Sequence, residues 1–209
     1  MKYAITEIQG SMRPIYGEDI DTDRIIPARY MKAPDFESLG KYAFVDERDW
    51  FRKRGKMHPM DDPRYAESSI LVVGRNFGCG SSREHAVQAL LRSGIRAIIG
   101  ESFGEIFRGN SVSAGLPCFT APAETIEELR RETEKNPQQQ VRIQVANTQL
   151  ISQSTIDLSM PAGMVNRFIS GGWNQLGLLR DAQASIDKVI AQLPYMHWQF
   201  AGISPERPS

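Results

Sequence analysis

Cysteine is scarce in this chain. Its 209 residues include two, Cys79 and Cys118, with no close pairing in sequence. That excludes a disulfide framework as the source of stability. Two thiols also fall short of the roughly four thiolates that a cubane iron–sulfur cluster normally takes. This chain is therefore not expected to hold such a cluster by itself. His58, His85 and His197 are scattered, and none stands at a zinc-like spacing. Excess charge of either sign is absent: Lys and Arg number 25, Asp and Glu 25. A general nucleic-acid binder, whose affinity comes from surplus cations, is thus disfavoured. No apolar run reaches the ~20 residues that span a bilayer. The opening MKYAITEIQGSMRP lacks the apolar stretch of a secretion signal, so a cytoplasmic location is expected. Repeats and low-complexity segments are missing too, and no Ser/Gly linker interrupts residues 69–193. One domain over 1–209 is expected, with a helical and aromatic tail from about residue 160.

What is present reads as a soluble α/β protein with enough chain to bury a core. The segment GEDIDTDRIIPARYMKAP mixes turn residues with Ile25-Ile26: a loop, a short apolar piece stopped by Pro27, then a loop or short helix. Residues 46–64 are charged and broken by Pro and Gly, which predicts an exposed excursion. Its run Arg52, Lys53, Arg54, Lys56 reads as a solvated face, with contact to an acidic partner as the other reading. Then Ser69–Val73 is a buried-strand run, GRNFGCGSS a Gly-rich turn, and Arg83–Ser93 has helical apolar spacing closed by Gly94. Ile95–Ile99 reads as a strand, Phe103–Val112 as a helix and Leu116–Thr120 as a strand. This alternation predicts a parallel α/β core. Thr125–Lys135 follows as an amphipathic helix, Val141–Ile151 as a hairpin about Asn147-Thr148, and Ala182–Leu193 as a helix. The tail PYMHWQFAG is expected to pack on the domain or on a partner.

The informative stretch is Gly78-Cys79-Gly80-Ser81-Ser82-Arg83-Glu84-His85. It joins a strand to a helix N-terminus, where free N–H groups and the macrodipole favour an anion. Gly78 and Gly80 permit positive φ and close backbone approach. Ser81-x-x-Glu84 fits a capping box, the plainer reading of Ser81. Arg83 in a first turn opposes the dipole, and a bound carboxylate or phosphate would explain it. The stretch is neither a Walker A loop nor a dinucleotide fingerprint, and Ser81 lacks the G-x-S-x-G nucleophile elbow. His85 reads as a core or supporting histidine before it reads as a base. Asp21 and Asp23 are open between two readings, metal ligands or paired acids against turn caps that orient neighbours; the second is preferred. Arg24 and Arg29 are expected to add to a positive lining.

FGCGSSREHA resembles the swivelling domain of the aconitase superfamily. DIDTDRIIPARY, with GIRAIIGESFGEIFRGN and GLPC, narrows the resemblance to the small subunits of 3-isopropylmalate dehydratase. It runs from about residue 14 to 122, and FISGGW and LPYMHW resemble the tails of some bacterial members. The resemblance implies a three-layer β/β/α swivelling domain. It also implies a hydro-lyase of leucine biosynthesis that turns 2-isopropylmalate into 3-isopropylmalate through 2-isopropylmaleate. A [4Fe–4S] cluster on a separate large subunit would act as Lewis acid. The partner is then that large subunit, the ligand a small dicarboxylate, and this chain holds no metal.

Roles follow position by position. Ser81 matches the serine that takes a proton from carbon. Arg83 matches the arginine that binds a substrate carboxylate, and Ser82 lies between them as a hydrogen-bond donor. The segment Tyr30-Met31-Lys32-Ala33 matches the loop that selects the substrate's branch: Met31 suits an apolar branch, whereas an inward Lys32 would favour a third carboxylate. Asn110, beyond Phe103, also matches the pattern. Cys79 is expected to be a small loop residue and Cys118 a core residue. A helix N-terminus supplies ~0.3–1 kcal/mol, up to ~2 when partly buried, against ~1.4 kcal/mol per pKa unit. That is far too little to ionise a serine, so Ser81 needs a closed, water-poor site with added positive charge. No activity is expected from this chain alone. Small subunits of related hydro-lyases, homoaconitase or dimethylmalate dehydratase, are the alternative, and a stand-alone anion-binding module is the alternative of another class.

Overall fold

The computed structural model describes residues 2–32, 36–80 and 83–193. Ser81, Ser82, Ala33 and the tail PYMHWQFAG lie outside the described residues. The chain divides into two compact units, 1–174 and 175–209.

The first unit is built on a seven-stranded mixed sheet in the order β4-β3-β2-β1-β5-β6-β7. The strands are β1 (Glu7–Pro14), β2 (Ser68–Val73), β3 (Ala97–Gly100), β4 (Cys118–Thr120), β5 (Gln140–Gln144), β6 (Gln149–Ile151) and β7 (Thr155–Asp157). β1 to β4 are parallel neighbours. β5 runs antiparallel to β1, with Ile8 opposite Ile143, and β6 and β7 continue the meander. Helices α1 (Thr22–Ile25), α2 (Val45–Lys53), α3 (Glu84–Arg92), α4 (Glu105–Ala114), α5 (Ala123–Lys135) and α6 (Ala162–Ser170) complete the unit. In the second unit, α7 (Gln175–Asp181) and α8 (Gln183–Gln192) are joined through Ala182.

Period-2 alternation divides the apolar residues between two cores. Ile70 and Val72 of β2 face one, with Ile99, Phe119 and Ile126 and Leu129 of α5. Leu71 and Val73 face the other, with Ile98, Ala86, Val87 and Leu90 of α3, and Ile25 and Ile26. Strands covered on both faces read as continuous apolar runs, which is why SILVV and IRAII stand out in the sequence. The α5 face is drawn by Ile126, Leu129, Arg130 and Thr133, all buried at helical spacing. The expected parallel core and the 141–151 hairpin are both observed.

Residues 46–64 are exposed or half-buried as expected, with His58 as the exception. They include α2, and they bury His58. The basic run itself is exposed, as a solvated face should be. The His58 ring sits between Phe44 and Phe51, at centroid distances of 5.6 and 5.3 Å. Its Nδ1 accepts the Met60 N–H at 3.1 Å, and Glu47 lies 3.8 Å from Nε2. Burial pushes the imidazole pKa down to about 4, against the pull of Glu47 and Asp61 and with help from Arg48 and Arg24. The unfolded imidazole takes a proton below about pH 6.5, whereas the folded one stays neutral to about pH 4. This contribution is whole above pH 6.5 and declines as pH falls toward 4, by ~3 kcal/mol in all. Urea unfolding across pH 7 to 4.5 should show that slope, and His58→Phe should flatten it.

Candidate active site

The segment 18–24 and the loop after β2 were separate motifs in the sequence; in the fold they run side by side. Asp19 N donates to Arg75 O at 3.0 Å, Gly78 N to Ile20 O at 2.7 Å, and Thr22 N to Cys79 O at 3.0 Å. Side chains reinforce the seam. Arg75 reaches Glu18 at 2.8 Å and Asp19 at 3.0 Å, and Asn76 Nδ2 donates to Asp19 Oδ1 at 2.8 Å. Sequence reasoning missed Glu18, Asp19, Arg75 and Asn76, because only the parallel placement of β1 beside β2 brings them together.

Glycine is required in this loop by both conformation and space. Gly78 sits at φ +75° and Gly80 at φ +86°. A Cβ on Gly78 would stand 2.2 Å from the Phe107 ring, and one on Gly104 would stand 2.6 Å from Gly78 O. The turn is therefore pressed against the start of α4 as closely as backbone permits.

The capping-box reading falls on Ser81, which lies outside the described residues. Helix α3 opens at Glu84, with Arg83 as its extended N-cap residue and no side-chain cap. Glu84 is then the first helical residue, whereas a box capped by Ser81 would make it the third. Ser82 also lies outside the described residues, and Arg83 follows it in sequence. Its Nη2 donates to Asp23 Oδ2 at 2.8 Å, and Nη1 closes on the other oxygen. The arginine is largely shielded, whereas the aspartate is half exposed. The Arg83 hydrogen bond holds the Asp23 carboxyl below its usual range.

Both aspartates of the DTD segment act as turn caps. Asp21 accepts the Arg24 N–H at 2.7 Å and caps α1, while Asp23 also accepts the Ala28 N–H at 3.0 Å. The positive-lining expectation for Arg24 and Arg29 is corrected by their partners. Arg24 is paired to Glu47 at 2.9 and 3.0 Å, and Arg29 is paired to Asp46. Tyr30 stacks on Tyr42 with ring centroids 3.9 Å apart. Met31 is 40% exposed, and Lys32 is exposed rather than turned into the fold. His85, in the first turn of α3, lies edge-on to Phe36 at 5.3 Å. Asn110 is half-buried, within α4 and not after it.

The thiols do not suit a metal cluster. Cys118 is buried in β4, where desolvation pushes its pKa up to about 12. Cys79 lies in the loop after β2, its pKa also raised by burial. Two thiols fall short of the set of about four that such a cluster normally takes. Among the described residues, no group of three or more His, Cys, Asp or Glu could hold a metal ion. The described residues do not fit a [4Fe–4S] cluster.

Residues 5–124 match the family model of the aconitase C-terminal domain. The chain belongs to the aconitase C-terminal domain family. The match spans the segment that carries Asp21 and Asp23, the Gly78–His85 stretch and α4. Curated relatives in this aconitase branch are 3-isopropylmalate dehydratase small subunits. That of Thermus thermophilus is 46% identical over 91% of this chain and 95% of its own length. That of Synechocystis sp. is 41% identical over 93% and 96%. The crystal structure of a 3-isopropylmalate dehydratase from Methanocaldococcus jannaschii superposes with a TM-score of 0.63 at 29% identity, covering 87% of this chain and 99% of that one. The mixed sheet with flanking helices is thus the aconitase-type α/β fold that the sequence motifs implied.

Proposed function

We infer that this chain is the small subunit of a 3-isopropylmalate dehydratase, a hydro-lyase of leucine biosynthesis. The observation that carries this reading is the seam between residues 18–24 and 74–80, closed by the Asp23–Arg83 pair. It gathers a glycine-bound turn, an arginine fork and the 28–32 turn at one edge of the fold, next to Ser81 and Ser82 in sequence.

Each part has a distinct task in the conversion of 2-isopropylmalate to 3-isopropylmalate. Arg83 binds a substrate carboxylate, for which its planar fork is suited. Ser82 donates a hydrogen bond beside it. Ser81 takes the proton from carbon when water is lost and returns it when water adds to the other carbon. Tyr30, Met31 and Lys32 face the substrate's branch, with Met31 toward the isopropyl group. Asp21, Asp23, Gly78, Gly80, His85 and Asn110 support this arrangement. The cluster belongs to the large subunit, and no thiol of this chain is its ligand. Closure over that subunit, in a cytoplasmic heterodimer or higher assembly, supplies the dry, positive site that Ser81 requires. Residues 1–209 act as one swivelling unit in this reading, with the segment from about 160 as its appendage.

Anaerobic reconstitution with a cluster-bearing large subunit tests it, with the unsaturated intermediate followed by absorbance. Turnover of 2-isopropylmalate is expected only when both chains are present. Turnover of homocitrate alone would move the assignment to a sister hydro-lyase and make Lys32 the selector. Phosphate binding by this chain alone, with no turnover in the mixture, would favour an anion-binding module.

A further inference from the structure

We propose that Asp23 is a positioning residue that fixes the distance between the carboxylate-binding arginine and the turn that reads the substrate's branch. The proposal rests on the functional reading above, in which Arg83 and the residues Tyr30, Met31 and Lys32 meet substrate. Its basis is a continuous chain of hydrogen bonds. Arg83 donates from Nη2 to Asp23 Oδ2 at 2.8 Å, and its Nη1 is ion-paired with Oδ1. The same carboxylate accepts the Ala28 N–H at 3.0 Å through Oδ1. Ala28 opens a 3₁₀ turn, Ala28–Tyr30, and its carbonyl accepts the Met31 N–H at 3.0 Å. One side chain therefore joins the arginine to the backbone that carries Met31.

The rest of the turn is held from its far side. Tyr30 is stacked on Tyr42, and Arg29 is paired with Asp46. Without Asp23, those anchors would still hold the turn, but nothing described would tie it to Arg83. Asp21 cannot substitute, because its carboxylate caps α1 through the Arg24 N–H. Only a carboxylate of this length suits the task. The amide of Asp23→Asn would set an N–H donor against the guanidinium, and Asp23→Glu would add a methylene to the spacing. The pair is half exposed on the Asp23 side, and such pairs contribute little to stability. Position, by contrast, bears strongly on rate: a displacement of ~1 Å at a reacting group can cost ~10²-fold.

Ala28→Pro separates these effects. It deletes the Ala28 backbone N–H that reaches Asp23 and leaves every charge in place. Pro27 already has ψ 142°, the extended conformation that a following proline demands, and proline is well tolerated at the first position of a helical turn. The readout is kcat/KM for 2-isopropylmalate against 2-methylmalate, which share both carboxylates and differ in the branch. Ala28→Pro is expected to lower that ratio by about tenfold, with activity on 2-methylmalate nearly unchanged. Asp23→Asn is expected to lower the ratio as well and to raise KM for both substrates. If both variants keep the wild-type thermal midpoint and the ratio stays within about twofold of wild type, the positioning role is overturned. If the wild-type assembly turns over neither substrate, the functional reading itself has failed and the proposal goes with it.

Discussion

Ser81→Ala is expected to lower kcat of the reconstituted enzyme by about 10³- to 10⁴-fold, the upper range for removal of a general acid–base group. KM should change little, because a proton-transfer contact is made in the transition state rather than in the ground state. The rival reading of Ser81 is a helix cap, and the thermal midpoint separates the two. If Ser81 capped α3, its loss would cost ~1 kcal/mol of stability, and activity would fall through unfolding. But α3 starts at Glu84 with Arg83 at the cap position. The thermal midpoint of Ser81→Ala should thus match the wild type while turnover collapses. Unchanged turnover would remove the serine from the chemistry.

Arg83→Lys is expected to lower kcat/KM by about 10²-fold, mainly through KM. The ammonium keeps the charge but cannot present two parallel N–H groups to a carboxylate. It would also break the two-point contact with Asp23, so the arginine's internal and substrate-facing duties fail together. Because Asp23 is half exposed, water can solvate the released carboxylate, and the loss of stability should stay within ~1 kcal/mol. Initial rates over a range of 2-isopropylmalate concentrations, beside a urea titration, separate the two effects. A KM equal to that of the wild type would show that Arg83 does not hold the substrate.

What the sequence disclosed and what it hid have physical causes. The run from β2 to β4 was legible because its strands are covered on both faces and its turns need glycine. The start of α3 was less legible because S-x-x-E is a pattern of residue types, whereas the helix start depends on where the loop backbone turns. β1 escaped notice because its polar residues are satisfied only in the fold. Ser11 and Ser68 share a hydrogen bond at 3.0 Å, and buried Arg13 reaches the Met60 sulfur and Tyr65 O. α2 looked like a charged excursion because its apolar residues are few and its acids and bases pair with distant partners, as Glu47 does with Arg24. Asp21, Asp23 and Arg83 were individually visible, whereas Glu18, Asp19, Arg75 and Asn76 were not. Their meeting was hidden, since it depends on pairing Ser11 with Ser68 and Pro14 with Val72 across the sheet.

The placement of β1 also bears on how the chain comes to fold. This first strand lies in the middle of the sheet, with one edge on β2 and the other on β5, where Glu7 meets Gln144. During synthesis the β2–β4 region can assemble as soon as it emerges. The outer edge of β1, however, has no partner until residue 144 has left the ribosome. Closing so long a loop is slow, because its entropy must be overcome before the pairing compensates. An unpaired central strand in the meantime is a template for other chains. Shortened chains that end before β5 should for that reason aggregate rather than form a smaller stable domain, even though they retain every residue of the site.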